Sequence, residues 1–202
     1  MEVKVMSATP NPAQVCSSAA GCCYGKDKSV AYSERRLQTC LNNGHLSVFE
    51  HASATWRVEG ISRACSHQLV RHRLASYSQQ SQRYCKIDVD GDWYVKPPDL
   101  IGKREYLFRQ QMEQIARTYK ELLESGVNPE DARFILPNAC KTDIYVTMNF
   151  RELMHFLDER NTQQAQWEIR ELAQQMAAAL ADESTQWAML LEMYGESGGR
   201  YV

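Results

Sequence analysis

This sequence of 202 residues lacks a long apolar run, a regular cysteine pattern and a large net charge. It contains no stretch of about 18 apolar residues, so we expect no transmembrane helix. Residues 1–6 have neither the basic segment nor the long apolar segment of a signal peptide. The seven cysteines form no CxxC pair, which argues against a zinc site or a disulfide framework and favours free thiols. We therefore expect a protein of the reducing cytoplasm.

Positive charge is concentrated in one part of the chain. Residues 57–86 contain six Lys or Arg against one acid, whereas residues 87–202 contain twelve against twenty. No Asp or Glu occurs between Glu59 and Asp88. The net charge of −2 argues against a strongly basic nucleic-acid-binding protein. The local excess of positive charge instead favours a small anionic ligand.

The periodicity of apolar residues predicts the secondary structure. Alternation predicts strands at Val3 and Val5, over 52–59 and over 141–148. Steps of three and four predict the helices, which cover 29–43, 61–74, 103–125, a short segment from Asn128, a segment capped by Asn149, and 162–194 as one helix or a pair. Ser47 and Glu50 have the spacing of a capping box for another short helix. Residues 7–28 show no clear pattern, and residues 75–84 are a loop or an irregular strand.

Composition and continuity indicate the fold class. Apolar residues make up 44% and charged residues 24% of the chain, which are typical globular values. No repeat, low-complexity linker or composition break interrupts the sequence. We predict one α+β domain over residues 1–202, rich in helix, with a small mixed or antiparallel sheet.

The most unusual segment covers residues 68–83. Three arginines and a histidine lie within residues 71–83, and serines and glutamines surround them. An arginine fork gives a phosphate two parallel hydrogen bonds, and hydroxyl groups complete its oxygen shell. A solvated basic helix followed by a polar loop is the alternative interpretation. The absence of acids in the segment favours an anion site.

This segment resembles the signature of the flavin-dependent thymidylate synthases, in which Arg-His-Arg is followed by seven residues, a serine and an arginine two positions later. Here these are Arg71-His72-Arg73, Ser81 and Arg83. Residues 44–51 and 149–157 resemble the family's G-H-x-[ST]-x-x-E-H and N-x-R-x-L-x-[HN]-F-L segments. Arg160 and residues 164–170 resemble the family pattern immediately after the second of these segments. The resemblance continues in register from about residue 40 to 175.

The resemblance implies a fold and a reaction. Members of the family are α+β homotetramers with active sites at subunit interfaces. They methylate dUMP at C5 to give dTMP, with 5,10-methylenetetrahydrofolate as the carbon donor. Reducing equivalents come from NADPH by way of bound FAD.

The resemblance also implies roles for individual residues. The FAD contacts are Ser47, Arg71, His72, Arg73, Gln79, Asn149, Arg151 and His155. The dUMP contacts are Gln68, Arg71, Gln79, Ser81, Gln82, Arg83, Arg160 and, from a neighbouring subunit, Arg133. Gln79 stands where many relatives have Glu, so it can form hydrogen bonds but carries no charge. Arg160 matches the arginine at the uracil ring, and its permanently charged guanidinium would stabilise negative charge there.

Other chemistries fit the sequence less well. The Pro-Cys motif of the unrelated classical thymidylate synthases is absent, and no base is evident beside Ser81, so we expect no covalent nucleophile. His45, His51 and His67 are loosely spaced, and we expect no metal site. Tyr77 and Tyr84 are candidates for stacking on the flavin. A flavoprotein that oxidises NADPH without methylating dUMP, and an RNA-binding module that uses residues 57–86, remain alternatives.

Overall fold

The computed structural model describes residues 1–23, 25 and 32–199. The strands in this part of the chain are β1 (Glu2–Ala8), β2 (Ser53–Ser62), β3 (Ala75–Gln79) and β4 (Lys141–Asn149). The helices described are α1 (Pro12–Cys22), α2 (Glu34–Asn42), α3 (Arg63–Leu69), α4 (Lys103–Glu124), α5 (Pro129–Ala132), α6 (Phe150–Arg160), α7 (Trp167–Glu183) and α8 (Thr185–Glu196). Two 3₁₀ helices cover Leu46–His51 and Arg133–Ile135. None of the described helices is both long and apolar enough to cross a membrane.

The strands form one sheet in the order β1-β2-β4-β3. β1 pairs with β2 in antiparallel register, with Val5 opposite Trp56. On β2, Ala54, Trp56 and Val58 are buried while their neighbours are more exposed, as alternation predicts for a half-buried strand. The predicted helix-rich α+β fold with a small sheet is therefore confirmed, and the sheet is antiparallel.

The chain divides into two compact units. The first unit comprises Met1–Glu59, Gln68–Ser78 and Ile144–Val202, and the second comprises Gly60–His67 and Gln79–Asp143. The single domain expected over residues 1–202 stays a prediction.

Two C-terminal helices supply much of the core of the first unit. On α7, Ile169, Leu172 and Met176 are fully buried at the predicted spacing. Ser184 has extended backbone angles that end α7, and its side chain accepts a hydrogen bond from Trp187 N to begin α8. The prediction of one helix or a pair over 162–194 is resolved as a pair, which begins at Trp167 rather than at residue 162 and ends at Glu196.

The second unit has its own core beneath α4. Met112 and Tyr119 of that helix pack in a cluster with Trp93 and Cys140. Gly126 follows α4 with a φ of 92°, a left-handed conformation that glycine adopts without strain. The predicted helix over 103–125 is confirmed to within one residue at its C-terminal end.

Three local predictions need correction. The helix expected over 61–74 is confined to α3, because Ile61 continues β2 and the Ser62 hydroxyl accepts from Cys65 N at the helix start. The capping box at Ser47 does not form, since the segment is a 3₁₀ helix without a side-chain cap. The helix expected over 29–43 begins at Glu34 among the described residues, and residues 29–31 lie outside them.

Candidate active site

Arg160 and His72 lie together in the first unit. Arg160 is the last residue of α6, and its Nε donates a hydrogen bond to His72 Nε2 at 3.0 Å. His72 is only 4% exposed. Burial, and then the charges of Arg160 and His155, lower the pKa of His72 to about 4. The imidazole is therefore neutral near pH 7, and Nε2 is its acceptor nitrogen.

The turn that presents His72 is fixed by one side chain. His72 follows α3, and its backbone N–H donates to Leu69 O at 3.1 Å. The Tyr77 hydroxyl lies 2.9 Å from Leu69 O and 2.7 Å from His72 O, as a donor to these two carbonyls. The stacking of Tyr77 on a flavin stays a prediction, and in the structure its hydroxyl anchors this turn.

A buried carboxyl group faces the other nitrogen of His72. Glu152 is 4% exposed, and its Oε1 lies 3.6 Å from His72 Nδ1. Burial raises the pKa of Glu152, and His155 opposes this shift. Because His72 is neutral, the contact is a dipole facing a carboxyl group rather than an ion pair. Within the described residues, His72 Nδ1 has no partner at hydrogen-bond distance.

Two cavities adjoin α6 in the first unit. The first, of about 480 Å³, is lined by residues that include His45, Ser47 and Arg151. The second, of about 490 Å³, is lined by residues that include Arg151, Glu152 and His155. Arg151 and Leu46 line both cavities. One terminal nitrogen of Arg151 donates to Glu50 Oε1 at 2.5 Å. The structure thus groups three of the predicted FAD contacts, Ser47, Arg151 and His155, around adjacent spaces.

The other candidates of the first unit differ in their surroundings. Arg71 and Arg73 are exposed on either side of His72, and Gln68 is half-buried on α3. Asn149 caps α6, because its Oδ1 accepts from Glu152 N at 2.9 Å. The predicted cap is therefore confirmed. It uses Oδ1 of Asn149, a residue that is also expected to contact FAD.

The second unit contains three predicted dUMP contacts, Ser81, Arg83 and Arg133, of which Arg133 is expected to serve the site of a neighbouring subunit. Arg83 Nε donates to Glu130 Oε2 at 2.6 Å, and Arg133 Nε donates to Glu130 O at 3.1 Å. Ser81 Oγ accepts from Arg83 N at 3.2 Å. Ser81, Arg83 and Arg133 are therefore neighbours, with Glu130 between the two arginines.

Two glutamines of this unit are held by small polar groups. Gln79 Nε2 donates to Ser66 Oγ at 2.8 Å and to Thr142 Oγ1 at 3.2 Å. Gln82 Nε2 donates to Cys140 Sγ at 3.4 Å. The neutral amide of Gln79 can donate to both hydroxyl oxygens, which a carboxylate at this position could not do.

Comparison with known proteins decides the family. The family described as Thymidylate synthase complementing protein matches residues 4–184. A flavin-dependent thymidylate synthase from Geobacter sulfurreducens is 47% identical over 189 residues, which cover 87% of this chain and 80% of the relative. One from Thermococcus onnurineus is 43% identical over 197 residues, covering 90% of this chain and 79% of the relative.

This chain belongs to the flavin-dependent thymidylate synthase family. The resemblance predicted from the sequence motifs is confirmed, and the protein is an enzyme of the transferase class. The fold agrees with that of a flavin-dependent thymidylate synthase from Helicobacter pylori, crystallised with FAD and dUMP. The TM-score is 0.77 at 23% identity, over 91% of this chain and 95% of that one.

In this member of the flavin-dependent thymidylate synthases, sequence analysis missed three site neighbours. Glu130 contacts Arg83 and Glu152 faces His72, whereas the site predicted from the sequence contained no acid. Arg63 is half-buried, and burial, together with the charge of Arg133, lowers its pKa. An acid four residues before Phe156, on the apolar face of α6, is the signal that could have identified Glu152.

The family member also contains a cluster of metal-ligand types that spacing alone did not reveal. Ligand atoms of His72, Glu152 and His155 all lie within 4.8 Å of one another. Two features disfavour a cation there: Arg160 already occupies His72 Nε2, and its own positive charge is adjacent. The absence of a metal stays a prediction.

Proposed function

We propose that this protein converts dUMP to dTMP by reductive methylation at C5. The carbon comes from 5,10-methylenetetrahydrofolate, the reducing equivalents come from NADPH, and tetrahydrofolate is the folate product. The observation that carries the proposal is the hydrogen bond between Arg160 and neutral His72. It places a permanently charged guanidinium in a cluster with Glu152 and His155, which line a cavity.

The residues of the first unit fit an anionic dinucleotide cofactor such as FAD. Ser47 and Arg151 line one cavity, and Arg151 and His155 line its neighbour, so hydrogen-bond donors border both spaces. The full proposed set of FAD contacts is Ser47, Arg71, His72, Arg73, Gln79, Asn149, Arg151 and His155. When bound, FAD supplies the hydride chemistry that links NADPH to the product.

The dUMP phosphate is assigned to Ser81 and Arg83 of one chain and to Arg133 of a neighbouring subunit. Two guanidinium groups and a hydroxyl group supply the donors that a phosphate dianion requires. Glu130 now accepts from Arg83, so phosphate binding requires Arg83 to exchange one anionic partner for another. The other proposed dUMP contacts are Gln68, Arg71, Gln79, Gln82 and Arg160.

Arg160 has an electrostatic role in this proposal. A guanidinium stays protonated in proteins, so Arg160 cannot act as a base. Its bond to His72 uses Nε, and its terminal N–H groups are the proposed donors to the uracil ring. They would stabilise negative charge on the uracil carbonyl and N3 as C5 becomes nucleophilic. No cysteine nucleophile is required.

The proposal includes a cytoplasmic homotetramer with active sites at subunit interfaces and without nucleic-acid or membrane partners. Phe134, beside the dUMP candidate Arg133, is 83% exposed, and Leu74 and Tyr84 are exposed to a similar degree. Large exposed apolar side chains are common at protein interfaces. Light scattering should give a mass of four chains of 23.2 kDa each.

The decisive test is tritium release from [5-³H]dUMP by purified protein with FAD, NADPH and methylenetetrahydrofolate, under anaerobic conditions. We expect release that requires both NADPH and the folate and that is accompanied by dTMP. Bound flavin without tritium release would contradict the proposal and favour a flavoprotein that only oxidises NADPH. If neither bound flavin nor tritium release is observed, the proposal is overturned. RNA binding by residues 57–86 is then the function to test.

A further inference from the structure

Three buried or half-buried side chains of the first unit contact one another in series: Glu152, His72 and Arg160. Glu152 Oε1 lies 3.6 Å from His72 Nδ1, and His72 Nε2 accepts from Arg160 Nε at 3.0 Å. The side chains of His72 and Glu152 are 3% and 5% exposed. The two ring nitrogens of one imidazole therefore face groups of opposite hydrogen-bonding character.

The protonation of His72 follows from its partners. Arginine Nε is only a donor, so His72 Nε2 must present a lone pair. A neutral imidazole with a bare Nε2 carries its proton on Nδ1, which faces Glu152. The low pKa of His72 supports the neutral form, and the distance of 3.6 Å makes the contact with Glu152 electrostatic rather than a short hydrogen bond.

We propose that Glu152 is a positioning residue that keeps the His72 proton on Nδ1 and thereby aims Arg160 at the substrate. Glu152 is the acceptor that faces Nδ1, so without it only the N–H of Arg160 would favour that tautomer. The other tautomer would place an N–H of His72 against the N–H of Arg160. Arg160 would then turn away from His72 and lose its orientation. This inference rests on the proposed function of Arg160.

The backbone of the same histidine is fixed separately. Tyr77 donates to His72 O, so the turn holds its place independently of residue 152. A substitution of Glu152 should therefore change which nitrogen of His72 carries the proton, and the orientation of the Arg160 side chain. It should change the position of the turn less. A metal ion at Glu152 is the competing interpretation, but a protonated Nδ1 cannot be a ligand.

The kinetic test compares Glu152→Gln, which keeps an acceptor oxygen, with Glu152→Leu, which has similar volume and no acceptor. We expect Glu152→Gln to retain kcat within about threefold and Glu152→Leu to lose about 10- to 100-fold, as for other orienting partners. Binding of FAD should change by less than about threefold in both, and dUMP binding should fall by no more than it does in Arg160→Ala. Glu171→Leu, an exposed substitution on α7, is the matched control and should be neutral.

A double-mutant cycle separates positioning from simple structural damage. In the Arg160→Ala background, Glu152→Leu should cause little further loss of kcat, because Glu152 acts through Arg160. Additive losses in the two backgrounds would overturn the proposal. So would a Glu152→Leu variant with unchanged kcat.

The tautomer itself can be measured without turnover. The chain has five histidines, so selective ¹⁵N-histidine labelling gives few signals, and His72→Gln assigns the one of interest. We expect the proton on Nδ1 in the wild type and on Nε2 in Glu152→Leu. A wild-type proton on Nε2 would overturn the proposal, even if no variant folds. Absence of dTMP formation by the wild type would instead overturn the proposed function, and the nitrogen signals would still decide the tautomer.

Discussion

Arg83 donates to the carboxylate of Glu130 at 2.6 Å, although Arg83 is a predicted phosphate contact. Both side chains are more than 40% exposed, so the pair contributes little to stability. The carboxylate nevertheless competes with phosphate for the guanidinium. We predict that Glu130→Gln lowers the Kd of dUMP by about two- to fivefold, the factor that corresponds to a surface pair. Isothermal calorimetry at low salt measures the change.

The neighbouring exposed acid supplies the control for this prediction. Asp131→Asn removes the same charge one residue away and should alter dUMP affinity less than Glu130→Gln does. Weaker dUMP binding by Glu130→Gln would show that Glu130 instead holds Arg83 in its binding orientation. The effect should shrink at high salt, because exposed charges are screened.

Arg160→Ala should uncouple binding from catalysis. FAD should still bind, because the first unit has several other donors for it, and dUMP should bind with modest loss. We expect kcat to fall by about 100- to 1000-fold, the usual effect of removing a donor to developing negative charge. Flavin absorbance and single-turnover dTMP formation measure the two properties separately. A normal turnover rate would contradict the electrostatic role of this residue.

Local sequence patterns predicted those strands and helices in which the buried residues recur at the period of the strand or helix itself. Trp56 on β2 and Met112 on α4 are buried where alternation and helical spacing place them. The capping box failed because the 3₁₀ helix begins at Leu46, which places Ser47 inside the helix rather than at its cap. Glu50 instead pairs with Arg151, 101 residues away, which no local pattern encodes. The helix expected from Ile61 failed because the strand ladder extends to Ser62.

The motifs identified the candidate site, but its internal contacts required the fold. His72 and Glu152 are 80 residues apart, and only the packing of α6 beside the turn after α3 brings them together. The same holds for Arg83 and Glu130, separated by 47 residues. Residue types and their local spacing predict ligand chemistry, whereas the partners that set pKa values come from tertiary structure.

Tyr77→Phe should loosen the turn that carries His72. His72 O would lose the Tyr77 donor and Leu69 O would keep only the His72 N–H, at a cost of about 1–3 kcal/mol in the free energy of unfolding. Turnover should fall as well, since the His72 ring depends on this turn. Tyr84→Phe is the control, because that side chain is 78% exposed and should be neutral. Thermal unfolding at fixed protein concentration compares the two variants, and equal melting temperatures would contradict the anchoring role.

The depressed pKa of His72 should make acid destabilise the protein. Between the usual 6.5 and about 4, the unfolded chain binds a proton at this residue and the folded chain does not. The free energy of unfolding therefore falls as pH decreases through that window, by up to about 1.4 kcal/mol per pH unit. Below about pH 4, His72 is protonated in both the folded and the unfolded state. Its effect on the free energy of unfolding then no longer changes with pH.

Glu152 opposes part of this effect, and a substitution of His72 separates the two. Burial raises the pKa of Glu152, so the folded state holds a proton there that the unfolded state releases just above pH 4.5. His72→Gln removes the histidine titration and keeps an acceptor for Arg160. Urea unfolding of both proteins from pH 7 to pH 4 should show a shallower loss of stability in His72→Gln. The same slope in both would mean that His72 is charged in the folded protein, because only a neutral buried imidazole gives this difference in bound protons.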